Sequence, residues 1–167
     1  MDKSQLGRAG ELALSLYTLV TSNGEIELYD PVVDDDHVDL VASRRGDLPK
    51  LGLQVKTADG LDAHGEVEAI AGYPVGKVRE HPAFLYAIPL LDGVRITTLW
   101  LVPSPEFNEL SYRHRTAGRE ILEFRARPGG DPRFGPFELD PAEIGPKLLG
   151  LIGGLAEPLP KAWWEAR

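Results

Sequence analysis

The chain has 167 residues, 43% of them hydrophobic, enough apolar material for one buried core and too little for two. It has no cysteine and only four scattered histidines, which excludes disulfides and thiolate–zinc sites and argues against a zinc site built from histidine alone. Its formal net charge of −8 argues against retention on nucleic acid by bulk attraction, because neutralising phosphates requires Lys and Arg.

In chain order, SQLGRAGELALSLYTLVT (residues 4–21) predicts a helix. Ser4 is its N-cap, and Leu6, Ala9, Ala13, Leu16 and Val20 recur at helical spacing. Arg8, Glu11, Ser15 and Thr18 fall on a polar stripe, and Gly24 suits a left-handed cap after the helix. EIELYDPVV reads as a strand stopped near Pro31, and DDDH as a polar turn. VDLVASR and LGLQVKT follow as two strands joined by RGDLPK, giving a meander. The Gly-rich residues 58–80 are harder to assign, with EVEAI as a short strand and VGKVREH as a short helix. PAFLYAIPLL and VRITTLWLVP form a hairpin around an Asp-Gly turn, and SPEFNEL opens a short helix. REILEFRAR reads as a strand, and DPAEIGPKLLGLIGGLAE as a late helix with Asp140 as N-cap and Pro141 at the first position. The expected architecture is α/β (α+β): one domain over residues 1–167, with a mixed central sheet flanked by helices.

The polar start, MDKSQLGRAGE, lacks the layout of a signal peptide, and no apolar run approaches the ~20 residues of a membrane helix. A cytoplasmic protein with no membrane partner is expected. Charge is uneven along the chain. Residues 1–75 carry 14 acids against 6 bases, whereas residues 113–133 carry Arg113, Arg115, Arg119, Arg125, Arg127 and Arg133 against three acids.

The run LGLQVKT is where chemistry enters. Alternation puts Leu51, Leu53 and Val55 on one face and Gly52, Gln54 and Lys56 on the other. An amide and an ammonium therefore stand about 7 Å apart, two residues along one strand. Asp39 opens the neighbouring strand, and Glu11 lies on the polar stripe of the first helix. A hard cation such as Mg²⁺ binds one or two carboxylates, keeps several waters and completes its shell with phosphate oxygens. A nearby lysine can orient or deprotonate a bound water, so the set suits phosphodiester hydrolysis.

GRAGE, then VDL, then QVKT, on a helix and two strands in that order, resemble the PD-(D/E)XK nuclease superfamily in its form with Gln at the second acidic position. The closest likeness is to small bacterial endonuclease-like domains of the Holliday-junction-resolvase and intron-endonuclease type. It covers roughly residues 4–105, the hairpin PAFLYAIPLLDGVRITTLWLVP included, and leaves 106–167 as a C-terminal extension. The resemblance implies a restriction-endonuclease-like core and Mg²⁺-dependent (or Mn²⁺-dependent) cleavage of DNA. Asp39 would be the main metal ligand, joined by the Gln54 amide oxygen and the Val55 backbone carbonyl. Lys56 would act on the attacking water and Glu11 as accessory acid. Gln54 carries one negative charge fewer than the usual acid, and Val38 precedes Asp39 where the family has proline. A catalytically weak or inactive module for nucleic-acid binding or assembly is the alternative.

Each residue also has a plainer reading. Lysine on an edge strand guards against aggregation, Glu11 beside Arg8 can be a surface ion pair, and Asp34–Asp36 can be a solvated loop with His37 exposed beside it. The candidate nucleic-acid contacts are Arg8, Arg113, Arg115 and Arg119, whose guanidinium groups grip phosphate bidentately, or else form a solvated face. Trp163 and Trp164 are expected to pack the tail on the domain or on a second subunit, and with the late helix they offer a surface for a homodimer.

Overall fold

The computed structural model describes residues 2–31, 37–48, 50–160 and 163. It opens with α1 (Lys3–Thr21), followed by β1 (Ile26–Tyr29), β2 (Leu40–Arg44), β3 (Leu51–Val55) and β4 (Val67–Pro74). The long hairpin β5 (Phe84–Asp92) and β6 (Arg95–Pro103) comes next, then α2 (Ser104–Leu110). A second hairpin, β7 (Tyr112–Thr116) and β8 (Arg119–Ala126), leads to the short β9 (Glu138–Leu139) and α3 (Ile144–Gly154). The hairpin at Asp92-Gly93, α2 and β8 lie where the sequence predicts them.

Two sheets form where one was expected. The main sheet runs β1-β2-β3-β5-β6-β9 and is mixed, with β3 and β5 parallel and the other pairs antiparallel. The second sheet runs β4-β8-β7 and is antiparallel throughout. Helices α1 and α3 pack together and cover one face of the main sheet. On the other face lie α2 and the second sheet, through Phe107 stacked on Tyr86 at 3.7 Å and Phe124 edge-on to Trp100 at 5.5 Å. With both faces covered, all five residues of β3 are buried. The face carrying Gly52 and Gln54, which alternation alone would leave open, is thus an interior face. A Cβ at Gly52 would meet the Leu159 side chain at 2.8 Å.

Three local expectations are corrected. The N-cap of α1 is Asp2, not Ser4. Asp2 accepts from the Gln5 backbone N–H, and the Gln5 side chain returns the bond, forming a capping box. Residues 75–81 are a turn and irregular chain rather than a helix. In α1 the buried residues are Gly10, Ala13, Leu14 and Thr18, whereas Leu12, Leu16, Leu19 and Val20 are 53–63% exposed. The helix is rotated from the orientation its apolar spacing suggests, because small residues allow a close approach to the sheet. A Cβ at Gly10 would lie 1.8 Å from the Thr57 hydroxyl. Further along, Asp140 caps as expected, accepting from the Ala142 N–H, but it caps a 3-10 turn that precedes α3. Of the first predicted strand, residues 32 and 33 lie outside the described residues, as do Asp34, Asp35, Asp36 and Trp164.

Candidate active site

The site begins where β2 and β3 part. Backbone N–H groups of Gly52 and Lys56 donate to Ala83 and Ala87 on the β5 side, at 2.8 and 2.9 Å. Leu53 and Val55 therefore direct their backbone groups the opposite way, toward β2. Leu53 C=O accepts from Asp39 N–H at 2.8 Å. One step further, β2 has no carbonyl for Val55, and the Asp39 carboxylate replaces it, accepting the Val55 N–H at 2.6 Å. The Val55 carbonyl points to the same side as its N–H. Asp39 and the Val55 backbone, both singled out from sequence, thus meet at the open end of the β2–β3 pair.

Gln54 is 2% exposed, so its amide must find partners inside the protein. Its Oε1 accepts from the Tyr73 hydroxyl at 3.0 Å, and Tyr73 is in turn 2.5 Å from the Tyr86 hydroxyl. Tyr86 is the register partner of Gln54 on β5, whereas Tyr73 reaches in from β4 of the second sheet. Burial pushes the Tyr73 hydroxyl up to about 12 and raises Tyr86 further, so both stay protonated. The Asp39 carboxylate is close enough to add to the rise at Tyr73. His37, in the left-handed region at φ 58°, sets its ring edge-on to Tyr73 at 4.8 Å between centroids. Beside this group the tail closes the sheet. Trp163 packs edge-on to Phe84 at 5.6 Å, with the Arg79 guanidinium 4.4 Å above its ring. Trp163 therefore packs on its own domain.

Lys56 directly follows β3, and Glu11 lies on α1, which packs against the same end of that strand. The Lys56 N–H still bonds to β5, so Lys56 continues the alternation and follows Gln54 on the same face. Gly10 presses on Thr57, which brings Glu11 to the end of β3. The Glu11 carboxylate is held by Arg8 at 2.7 Å, and Arg8 also reaches Asp30 at 3.3 Å. The plainer reading of that pair as a surface ion pair therefore describes its contacts. A cavity of about 640 Å³ opens here, lined by Gly7 and Lys3 of α1, by residues 55–62 after β3 and by Glu66 and Glu68. Asp62 fastens the lining loop by accepting from Glu66 and His64 N–H groups at 2.9 and 2.7 Å. Those bonds, Glu66 first, hold its carboxyl below the usual range.

The arginines of residues 113–133 are dispersed rather than gathered in one patch. Arg113 pairs with the buried Glu120 at 3.2 Å, Arg119 donates to Gly72 C=O at 2.6 Å, and Arg125 joins Glu68 and Glu123. Arg127 donates to His64 C=O, and Arg133 lies over the Tyr112 ring at 4.3 Å. Arg115 lies on the exposed edge strand β7, opposite Glu120.

As possible metal ligands, Asp39, Gln54 Oε1 and the Val55 carbonyl form an all-oxygen set, which suits a hard cation and not zinc. Among the described residues no group of three or more His, Asp or Glu is close enough to hold a metal by itself. A site with one carboxylate depends on phosphate oxygens and water for the rest of its shell.

No protein-family model matches the chain, and no curated protein matches it in sequence. A solved structure of a bacterial homing endonuclease does match in shape, with a TM-score of 0.61 over 92% of this chain and 94% of that one. The chain shares the fold of that endonuclease. Identity is 15%, so the likeness is one of fold, and it extends over the C-terminal extension as well as the core expected from sequence. Within this fold, Tyr73 and Tyr86 are two site neighbours that the sequence does not single out. Tyr86 carried a signal, since a tyrosine in an apolar central strand needs a partner for its hydroxyl.

Proposed function

We propose that the protein is a metal-dependent endonuclease acting on DNA, with its active site at the open end of β2 and β3. The reading rests above all on Asp39 taking the ladder position opposite Val55, the residue next to Gln54, in a chain that shares a nuclease's fold. Asp39, Gln54 and the Val55 carbonyl would hold Mg²⁺ or Mn²⁺. A divalent cation bound there would acidify a water and offset charge developing on the phosphate. Lys56 would orient that water and accept or share its proton, and Glu11, once released from Arg8, would assist from α1. Arg8 and Arg115 on exposed surfaces, with Arg113 and Arg119 after exchanging their present partners, are the candidate phosphate contacts. A second copy of the chain would supply the site for the opposite strand.

The test is cleavage of linear and branched DNA with Mg²⁺ or Mn²⁺, beside the Lys56→Ala variant. Wild type should cut and the variant should lose about 10²-fold or more of the rate, the scale of a proton-transfer group. Equal inertness of both proteins in both metals rejects the proposal. That result favours the second reading, a binding or assembly module, which draws support from the burial of Gln54 and the single carboxylate at the site.

A further inference from the structure

We infer that Tyr73 is a positioning residue that makes Gln54 usable as a metal ligand, by fixing which end of its amide faces the Asp39 side. The inference rests on the active-site reading above. A carboxylate has two equivalent oxygens, so an acid at position 54 would present oxygen in either orientation. An amide does not, because one end is an oxygen acceptor and the other an NH₂ donor that repels a cation. Replacing acid by amide therefore creates an orientation problem, and a buried amide must have it solved by a neighbour.

Tyr73 is that neighbour. The Tyr73 hydroxyl donates to Gln54 Oε1 at 3.0 Å. Among the described residues the Tyr86 hydroxyl has no hydrogen-bond partner except Tyr73, at 2.5 Å, so its proton goes to Tyr73, and the Tyr73 proton is left for Gln54, which can accept it only through oxygen. The chain of donors is directional: Tyr86 to Tyr73 to Gln54. It commits the oxygen of Gln54 to one corner and leaves its second lone pair for another partner. The Asp39 carboxylate accepts the N–H of Val55, the residue next to Gln54, at 2.6 Å, so the principal acid and the amide belong to the same end of the strand pair. Both tyrosine rings are held by packing, Tyr86 stacked on Phe107 and Tyr73 against His37. Tyr73 comes from β4, so the second sheet is part of the site and not only a cover for the main one.

The test is a cycle of Tyr73→Phe and Gln54→Glu, read as Mn²⁺ affinity by electron paramagnetic resonance of the free ion, with thermal melting to confirm folding. With Gln54 present, Tyr73→Phe should weaken Mn²⁺ binding about 10-fold, the scale for losing an outer partner of a ligand. With Gln54→Glu, the same change should cost less than about 2-fold, because a carboxylate needs no orienting. Equal losses in both backgrounds, or no loss in either, overturn the inference and leave the active-site reading standing. Wild-type protein that binds no Mn²⁺, or binds it unchanged after Asp39→Ala, overturns both.

Discussion

At Asp39 a structural duty coincides with the chemical one proposed for it, and two substitutions separate them. The carboxylate accepts the Val55 N–H at 2.6 Å in place of a missing strand carbonyl. Asp39→Asn keeps an oxygen for that bond while removing the charge, whereas Asp39→Ala leaves the N–H without its partner. Both should abolish Mn²⁺ binding and cleavage. Only Asp39→Ala should lower stability appreciably, by about 1–3 kcal/mol, the usual cost of an orphaned buried donor. Denaturant melts of the pair check this, and equal destabilisation would show that Asn cannot fill the ladder position. The residues of this scale were partly legible in the sequence. Gln54 announced itself as a polar group in an apolar run, and Asp39 as an acid opening a strand. Tyr73 did not, because the contact that matters spans two sheets and no local pattern records which strand lies above which.

Between elements, the decisive contact is α1 on the end of β3. Gly10 sits so close to Thr57 that an added Cβ would fall 1.8 Å from the Thr57 hydroxyl, and that hydroxyl is itself buried with no hydrogen-bond partner among the described residues. Gly10→Ala should therefore push α1 outward, carry Glu11 with it and cost about 1–3 kcal/mol of stability. Thr57→Ala removes the hydroxyl at 1.8 Å and the methyl at 2.8 Å but leaves the Thr57 Cβ at 2.8 Å, so the double variant should recover part of the stability and activity. Additive losses measured by melting and DNA cleavage would show that the close approach is not what Gly10 provides. The glycine of GRAGE is thus explained by packing, and the acid after it by where that packing places it. Elements written as long apolar runs on either side of a turn, such as β5 and β6, were legible. The strand β7 was not, because YRHRT is exposed along its whole length and so carries no alternation. Its turn at Ala117-Gly118, with φ 47° and 74°, is the one local mark of the hairpin. Residues 75–81 resembled a helix in composition, but Gly76 at φ 73° turns the chain out of it.

Across the whole molecule, the distribution of apolar surface points to a second copy of the chain at a place the sequence did not indicate. The late helix was expected to offer it, yet Ile144, Leu148 and Ile152 of α3 are buried in the domain's own core, and Trp163 packs on Phe84. The apolar face left outside belongs to α1. Leu12, Leu16, Leu19 and Val20 recur at the three- and four-residue spacing by which one helix packs on another. A two-fold axis makes such a stripe its own complement, and pairing two copies would also supply the two sites that cutting both strands requires. The groove beside the stripe continues over Tyr17, Ile96 and Pro141 and ends in Arg95 and Asp140, opposite charges that the same axis can pair. Four side chains and one groove fall short of the ~800 Å² per partner of a stable interface, so the dimer should be concentration-dependent. Light scattering across a dilution series should show a mass rising toward twice the 18.3 kDa of the chain. Leu16→Glu should hold it at the monomer without changing the helix content by circular dichroism. Because Leu16 lies away from the β2–β3 opening, that variant should still nick one strand of DNA while losing double-strand cuts. A wild-type mass that stays monomeric at every concentration would remove the stripe from the account and leave each site to act alone.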